Sequence, residues 1–167
     1  MPAKGSLIQR IVIQTLGGLY NDLIGRRTHL GVGAAIFDYH GRVLLVRQSY
    51  GQRSWELPGG GRKRRESVQA AVRREVREEV GVDLAGAELR AVYYEAEVDQ
   101  HHFLFACRLD QEVVPRANSV EILECQFWAL DALPRPITEF TARRISDASA
   151  KAPVTSIQLV RASRLLD

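Results

Sequence analysis

Residues 60–82 read GGRKRRESVQAAVRREVREEVGV, a glycine-led approach followed by a long run without a breaker. Ser67 to Val80 holds neither Gly nor Pro before Gly81, a natural helix stop, so the stretch predicts a helix entered from a glycine loop. On a wheel of about 100° per residue, Glu75, Glu78 and Glu79 fall within an arc of roughly 100°. Val72, Val76 and Val80 occupy the adjoining arc, and Arg73, Arg74 and Arg77 lie on the far side. The acids therefore border the seam that the valines bury. Each like-charged pair at i,i+3 or i,i+4 costs about 0.2–0.5 kcal/mol on an exposed helix. A hard divalent cation with oxygen ligands makes such crowding favourable. The helix alone also admits a plainer reading, a solvated face on which the acids pair with arginines, Arg74 with Glu78 at i,i+4.

Working outward, Ser54-Trp55-Glu56-Leu57 predicts a short strand before Pro58-Gly59-Gly60-Gly61, whose missing side chains let backbone groups approach a ligand. Val32 to Phe37 and Arg42 to Val46 flank the turn Asp38-Tyr39-His40-Gly41 and predict a hairpin. Beyond the helix, Leu89 to Val98 and Phe103 to Leu109 read as strands around Asp99-Gln100-His101-His102, and Glu121 to Leu130 as another. A helix follows from Thr138 to about Ala150, then a late strand from Val154 to Val160. Leu7 to Ile24 has helical apolar spacing, weakened by Gly17-Gly18, which assigns residues 1–28 to an N-terminal helical extension and 29–167 to the main domain. Strands and helices mix without regular alternation, an α+β pattern with a mixed sheet.

The 167 residues carry 46% apolar and 26% charged side chains, which excludes disordered and fibrous classes and suits one globular domain. A net charge of +3 is too small to imply nucleic acid by itself. Cys107 and Cys125 sit far apart in apolar contexts and read as reduced, buried residues. The N-terminal apolar stretch is interrupted by Gln9, Arg10 and Gln14, unlike a signal peptide or membrane span. A cytoplasmic protein with no membrane partner is the expectation.

The segment Gly60, Glu66, Arg74, Glu75, Val76, Glu78, Glu79, Gly81 and Val82 resembles the signature of the Nudix hydrolases, G-x5-E-x7-R-E-U-x-E-E-x-G-U, with U a bulky aliphatic residue. Every fixed position is filled at the required spacing, which makes the signal highly specific. Leu44-Leu45-Val46-Arg47, the Trp55 to Gly60 approach and Phe127-Trp128-Ala129-Leu130-Asp131-Ala132-Leu133-Pro134 extend the resemblance from about Leu30 to Pro134. One departure is Arg65, where many members carry glycine.

The resemblance implies a Nudix α/β/α sandwich and cleavage of a nucleoside diphosphate linked to another group, with Mg²⁺ as cofactor and Mn²⁺ as a substitute. Glu78 and Glu79 are then the principal metal ligands, and Glu75 a further ligand or the group that orients or deprotonates water. Arg74 positions the carboxylates, Glu66 is its ion partner, and the Gly60 carbonyl is an additional ligand. For an acid from outside the box the choice is Glu121, ahead of Glu97 and Glu124. Two other readings stand beside this one: a nucleotide-binding module without turnover, and a pyrophosphohydrolase of RNA 5′ ends, which the basic Lys63-Arg64-Arg65 rim would suit. That rim is otherwise simply solvated. The box leaves open which derivative is the substrate, and it leaves oligomeric state open, a homodimer included.

Adjacent residues in a strand point to opposite faces, so His101 and His102 are not expected to share an ion. Trp55, Tyr93 and Tyr94 are assigned to packing rather than to stacking on a base.

Overall fold

The computed structural model describes residues 29–153, 157–160 and 164–166, so the expected N-terminal helical extension lies outside the described residues. The elements run β1 (His29–Phe37), β2 (Val43–Gln48), β3 (Trp55–Glu56), β4 (Gly59–Gly61), α1 (Val68–Val80), β5 (Glu88–Glu95), β6 (Gln100–Arg108), β7 (Ile122–Trp128), β8 (Ile137–Thr138), α2 (Glu139–Ser149), β9 (Ile157–Val160) and β10 (Leu165–Leu166). The main path through the sheet is β10-β8-β3-β2-β1-β6-β5-β9, with β4 added to β1 and β7 to β2. Pairing of β1 with β6, β5 with β9 and β3 with β8 is parallel and the rest antiparallel, so the sheet is mixed as expected.

The alternation of β1 makes the layers. Val32, Ala34 and Ile36 pack with Ala71, Val72, Val76 and Val80 of α1. Ala35 and Phe37 face the other way, into a cluster with Ile145 and Ala148 of α2. One helix thus covers each face of the sheet, an α/β/α sandwich. Ser67 caps α1 by accepting from the Ala70 N–H, and Gly81 closes it in the left-handed region at φ 70°. Both ends fall where the sequence placed them, because Ser and Gly satisfy the end groups that a helix cannot bond internally.

Two departures from the sequence expectation bear on the site region and its neighbouring turn. The glycine loop is instead the short strand β4, pairing Gly59, Gly60 and Gly61 with Gly33, Val32 and Gly31. A Cβ on Gly59 would lie 2.1 Å from the Val32 carbonyl oxygen, so only glycine allows this approach. The turn expected at 99–102 falls at residues 96–99, and Asp99 takes a left-handed φ of 49° and accepts from the Tyr94 hydroxyl. His101 and His102 are thereby drawn into β6.

Candidate active site

Helix α1 and strand β4 form two walls of a cleft of about 410 Å³, lined by Glu75, Glu78, Glu79, Arg74 and the three glycines 59–61. Lys63, Tyr50, Ser119 and Glu121 complete its lining. The 110–121 connection reaches this place through two backbone bonds to the end of α1: Arg116 N–H donates to the Val80 carbonyl and Asn118 N–H to that of Glu79. Glu121 lies in the turn just before β7 rather than on the strand, and its carbonyl accepts from the Ser49 N–H at 2.8 Å.

Arg74 is the hub of the cluster: it pairs with Glu78 as the i,i+4 spacing predicts, and its long side chain also reaches the other acids. Nε and Nη2 grip the two oxygens of Glu66 at 2.8 and 2.9 Å, and Nη2 also donates to the Gly61 carbonyl at 3.0 Å. Nη1 holds Glu75 at 2.7 Å and Glu78 at 3.2 Å. The Arg74 hydrogen bonds, helped by the Lys63 N–H, lower the Glu66 carboxyl to about 2. Glu66 does not line the cleft; it anchors the guanidinium from outside.

Glu79 is 9% exposed and accepts from the Gly59 N–H at 2.9 Å. Burial pushes its carboxyl up to about 7 despite that bond, and the charges of Glu75, Glu121 and Glu56 push the same way. A Cβ on Gly60 would stand 2.7–2.9 Å from the Glu75 carboxylate, so glycine here leaves room for the acid.

Among the described residues, no three His, Cys, Asp or Glu side chains stand close enough together to hold a metal ion as they are oriented here. The donor set is nevertheless that of a hard cation: four carboxylates and the glycine backbone of β4 share one cleft, and two of the acids, Glu75 and Glu121, oppose the charge of the buried Glu79. These residues fit Mg²⁺.

The raised Glu79 pKa gives a stability prediction for chelator-treated protein. A carboxyl whose pKa is higher when folded than when unfolded favours folding below the unfolded value, near 4.5, and loses that contribution as pH rises through about 7. Urea midpoints should therefore show Glu79→Gln gaining on the wild type between pH 5.5 and pH 8, by on the order of 2 kcal/mol. An unchanged difference between the two proteins across that range would place Glu79 in a solvated setting.

The remaining candidates fall elsewhere. Glu124 pairs with Arg47 at 2.9 Å on the sheet, and Glu97 is exposed in the 96–99 turn; neither lines the cleft. His102 meets Glu95 at 3.0 Å and the ring of Phe140, whereas His101 tilts over Tyr94. Trp55 packs edge-on to Trp128, and the buried Tyr93 donates to Asp147. Cys107 is buried and Cys125 half-buried, both free thiols.

All three rim residues are exposed, as the solvated reading expects; Lys63 also lines the cleft, 3.8 Å from Glu78, whereas Arg64 and Arg65 lie outside the lining. Arg65 holds φ 62°, a region that costs a side-chain-bearing residue about 1–2 kcal/mol. Allowing for the added freedom of the unfolded chain, Arg65→Gly is expected to stabilise by about 0.5–1 kcal/mol, a melting increase of about 2 °C. A lower melting temperature would show that the Arg65 side chain makes a stabilising contact.

Sequence reasoning missed Tyr50, Ser119 and Glu56. Glu56 is an acid within Trp55-Glu56-Leu57-Pro58-Gly59 that receives hydrogen bonds from Thr141 and Arg144. No local spacing linked it to α2, 85 residues on.

The sequence matches the NUDIX domain over residues 27–148, and the chain belongs to the Nudix hydrolase family. A MutT NUDIX hydrolase from Burkholderia pseudomallei is 30% identical, with a TM-score of 0.62 over 74% of this chain and 100% of that one. An ADP-ribose pyrophosphatase from Streptococcus suis is 27% identical, with a TM-score of 0.59 over 81% of this chain and 98% of that one. An RNA pyrophosphohydrolase from Teredinibacter turnerae is 44% identical over 61 residues, 36% of this chain. That stretch is also only 36% of the relative's own length. Among the described residues, no helix is long and apolar enough to cross a membrane.

Proposed function

We propose that the protein hydrolyses a pyrophosphate linkage in a nucleoside diphosphate derivative with Mg²⁺, water attacking phosphorus to release a mononucleotide and the phosphorylated partner group. The observation that carries this reading is the cleft itself, where Glu75, Glu78, Glu79 and Glu121 meet the glycine backbone of β4. Glu78, Glu79, Glu121 and the Gly60 carbonyl would hold the cation. Bound there, Mg²⁺ supplies neutralisation of the charge that develops on the phosphoryl oxygens. Glu75, held by Arg74 and close to Gly60, would orient the attacking water and accept its proton. Lys63 adds a positive charge at the cleft for the polyphosphate.

A second reading, hydrolysis at RNA 5′ ends, is favoured by the RNA pyrophosphohydrolase relative and by exposed Arg64 and Arg65 next to Lys63. One panel tests both: ADP-ribose, a dinucleoside polyphosphate, oxidised nucleoside triphosphates and 5′-triphosphorylated RNA, with Mg²⁺ or Mn²⁺, following mononucleotide or pyrophosphate release. Turnover confined to RNA, with binding that weakens steeply as salt rises, selects the second reading. Nucleotide binding without turnover of any substrate overturns the enzymatic reading and leaves a binding module.

A further inference from the structure

Among the described residues, Tyr50 is the aromatic residue that lines the cleft. It leaves 55% of its surface exposed. Its hydroxyl accepts from the Gln48 amide, and its carbonyl accepts from the Arg53 N–H to close the turn after β2. Among the described residues no other ring packs on it, whereas Trp55, Tyr93 and Tyr94 each have a ring partner. Beside it, Val120 is 94% exposed. The two are tied together through Ser49, whose N–H donates to the Glu121 carbonyl at 2.8 Å and whose hydroxyl donates to the Val120 carbonyl at 3.0 Å. The cleft thus combines the half-exposed Tyr50 side chain, a positive charge at Lys63 and the acid cluster, and the exposed Val120 lies next to Glu121 just outside its lining.

We infer that Tyr50, flanked by Val120, is the stacking platform for the nucleobase of the substrate, and so selects nucleotides over base-free diphosphates. An aromatic ring left more than half exposed where it lines a cleft has area free for a planar partner, and aromatic pairs gain stability beyond the area they bury. Base–aromatic stacking tolerates any base, because every base presents a π-face. The inference rests on the reading of the cleft as a pyrophosphate site. With the phosphates drawn to the cation and Lys63, the base is left to reach Tyr50.

Binding calorimetry with Mg²⁺ tests it using two probes that resist hydrolysis, α,β-methylene-ADP and its base-free counterpart methylenediphosphonate. The wild type is expected to bind the nucleotide at least about tenfold more tightly than the diphosphonate, the scale of one stacked base. Tyr50→Ala should erase that preference while holding diphosphonate affinity within about twofold, and Tyr50→Phe and Tyr50→Trp should keep it. Melting curves of the variants confirm that each is folded. Equal wild-type affinity for the two probes, or a preference that survives Tyr50→Ala, overturns the platform but leaves the cleft as a pyrophosphate site. Failure of the wild type to bind either probe overturns the pyrophosphate reading and the platform with it.

Discussion

Glu79→Gln is expected to lower kcat by at least ~10²-fold at saturating Mg²⁺, a few kcal/mol of barrier. Gln preserves the shape of the side chain and can still accept from the Gly59 N–H that Glu79 engages. The substitution therefore removes a negative charge and little else. That charge is held in the least exposed position of the acid cluster, where other acids already oppose it. Such an arrangement works against the folded protein alone and makes sense if a cation resides there. Excess chelator should likewise abolish turnover in the wild type. Full activity in chelator, or a kcat for Glu79→Gln within twofold of wild type, would remove the cation from the proposed mechanism. The apo variant should melt no lower than the wild type, because relief of crowding accompanies the loss of charge. A large fall in apo melting temperature would make Glu79 a structural group.

The main elements and their mixed order were readable because their determinants are local or periodic, whereas the sandwich itself came from the resemblance to the Nudix hydrolases. Ser67 and Gly81 mark the ends of α1, the valine stripe marks its buried face, and the alternation of β1 separates the two clusters that the helices cover. The box acids were equally plain, since one helix face carries three of them. What the sequence concealed depends on contacts between distant segments. Gly59-Gly60-Gly61 has the composition of a loop, and only the proximity of Val32 makes it a strand. Glu121 was selected from several acids outside the box, and the structure brings it to the cleft through the bonds of residues 116 and 118 to the end of α1. Tyr50 sits in a polar turn with no periodic signal, so nothing along the chain ties it to helix α1. Arg74 shows the limit of the wheel: its i,i+4 pairing with Glu78 was legible, but a wheel positions Cβ atoms, so the reach of the guanidinium to Glu66 was implied only by the family resemblance.

The position of Arg74 yields the second large effect, because its three nitrogens serve four groups. Arg74→Lys should reduce kcat on the order of 10²-fold despite retaining the charge, since misplacing a reacting group by even ~1 Å has consequences of that size. An ammonium cannot reproduce the planar fork that grips both Glu66 oxygens while Nη1 holds Glu75 and Glu78. Either Glu66 or the cleft acids must lose their partner. The defect should fall mainly in kcat, with KM changed much less, because Arg74 is argued to place reacting groups rather than to bind substrate. Glu66→Gln should be milder than Glu79→Gln, acting only through looser positioning of Arg74, and the Arg74 and Glu66 substitutions should combine less than additively. A carboxyl titration followed by NMR gives a readout that general loosening of the fold would not move. With Arg74 present, Glu66 is held down near 2, so its charge supports the fold above the unfolded value near 4.5 and is lost only as pH falls toward 2. In Arg74→Lys that carboxyl should titrate at higher pH, and the acid limb of the stability curve should shift upward with it. If Glu66→Gln abolished turnover while Glu79→Gln left it nearly intact, the division of the box into reacting and supporting groups would be reversed.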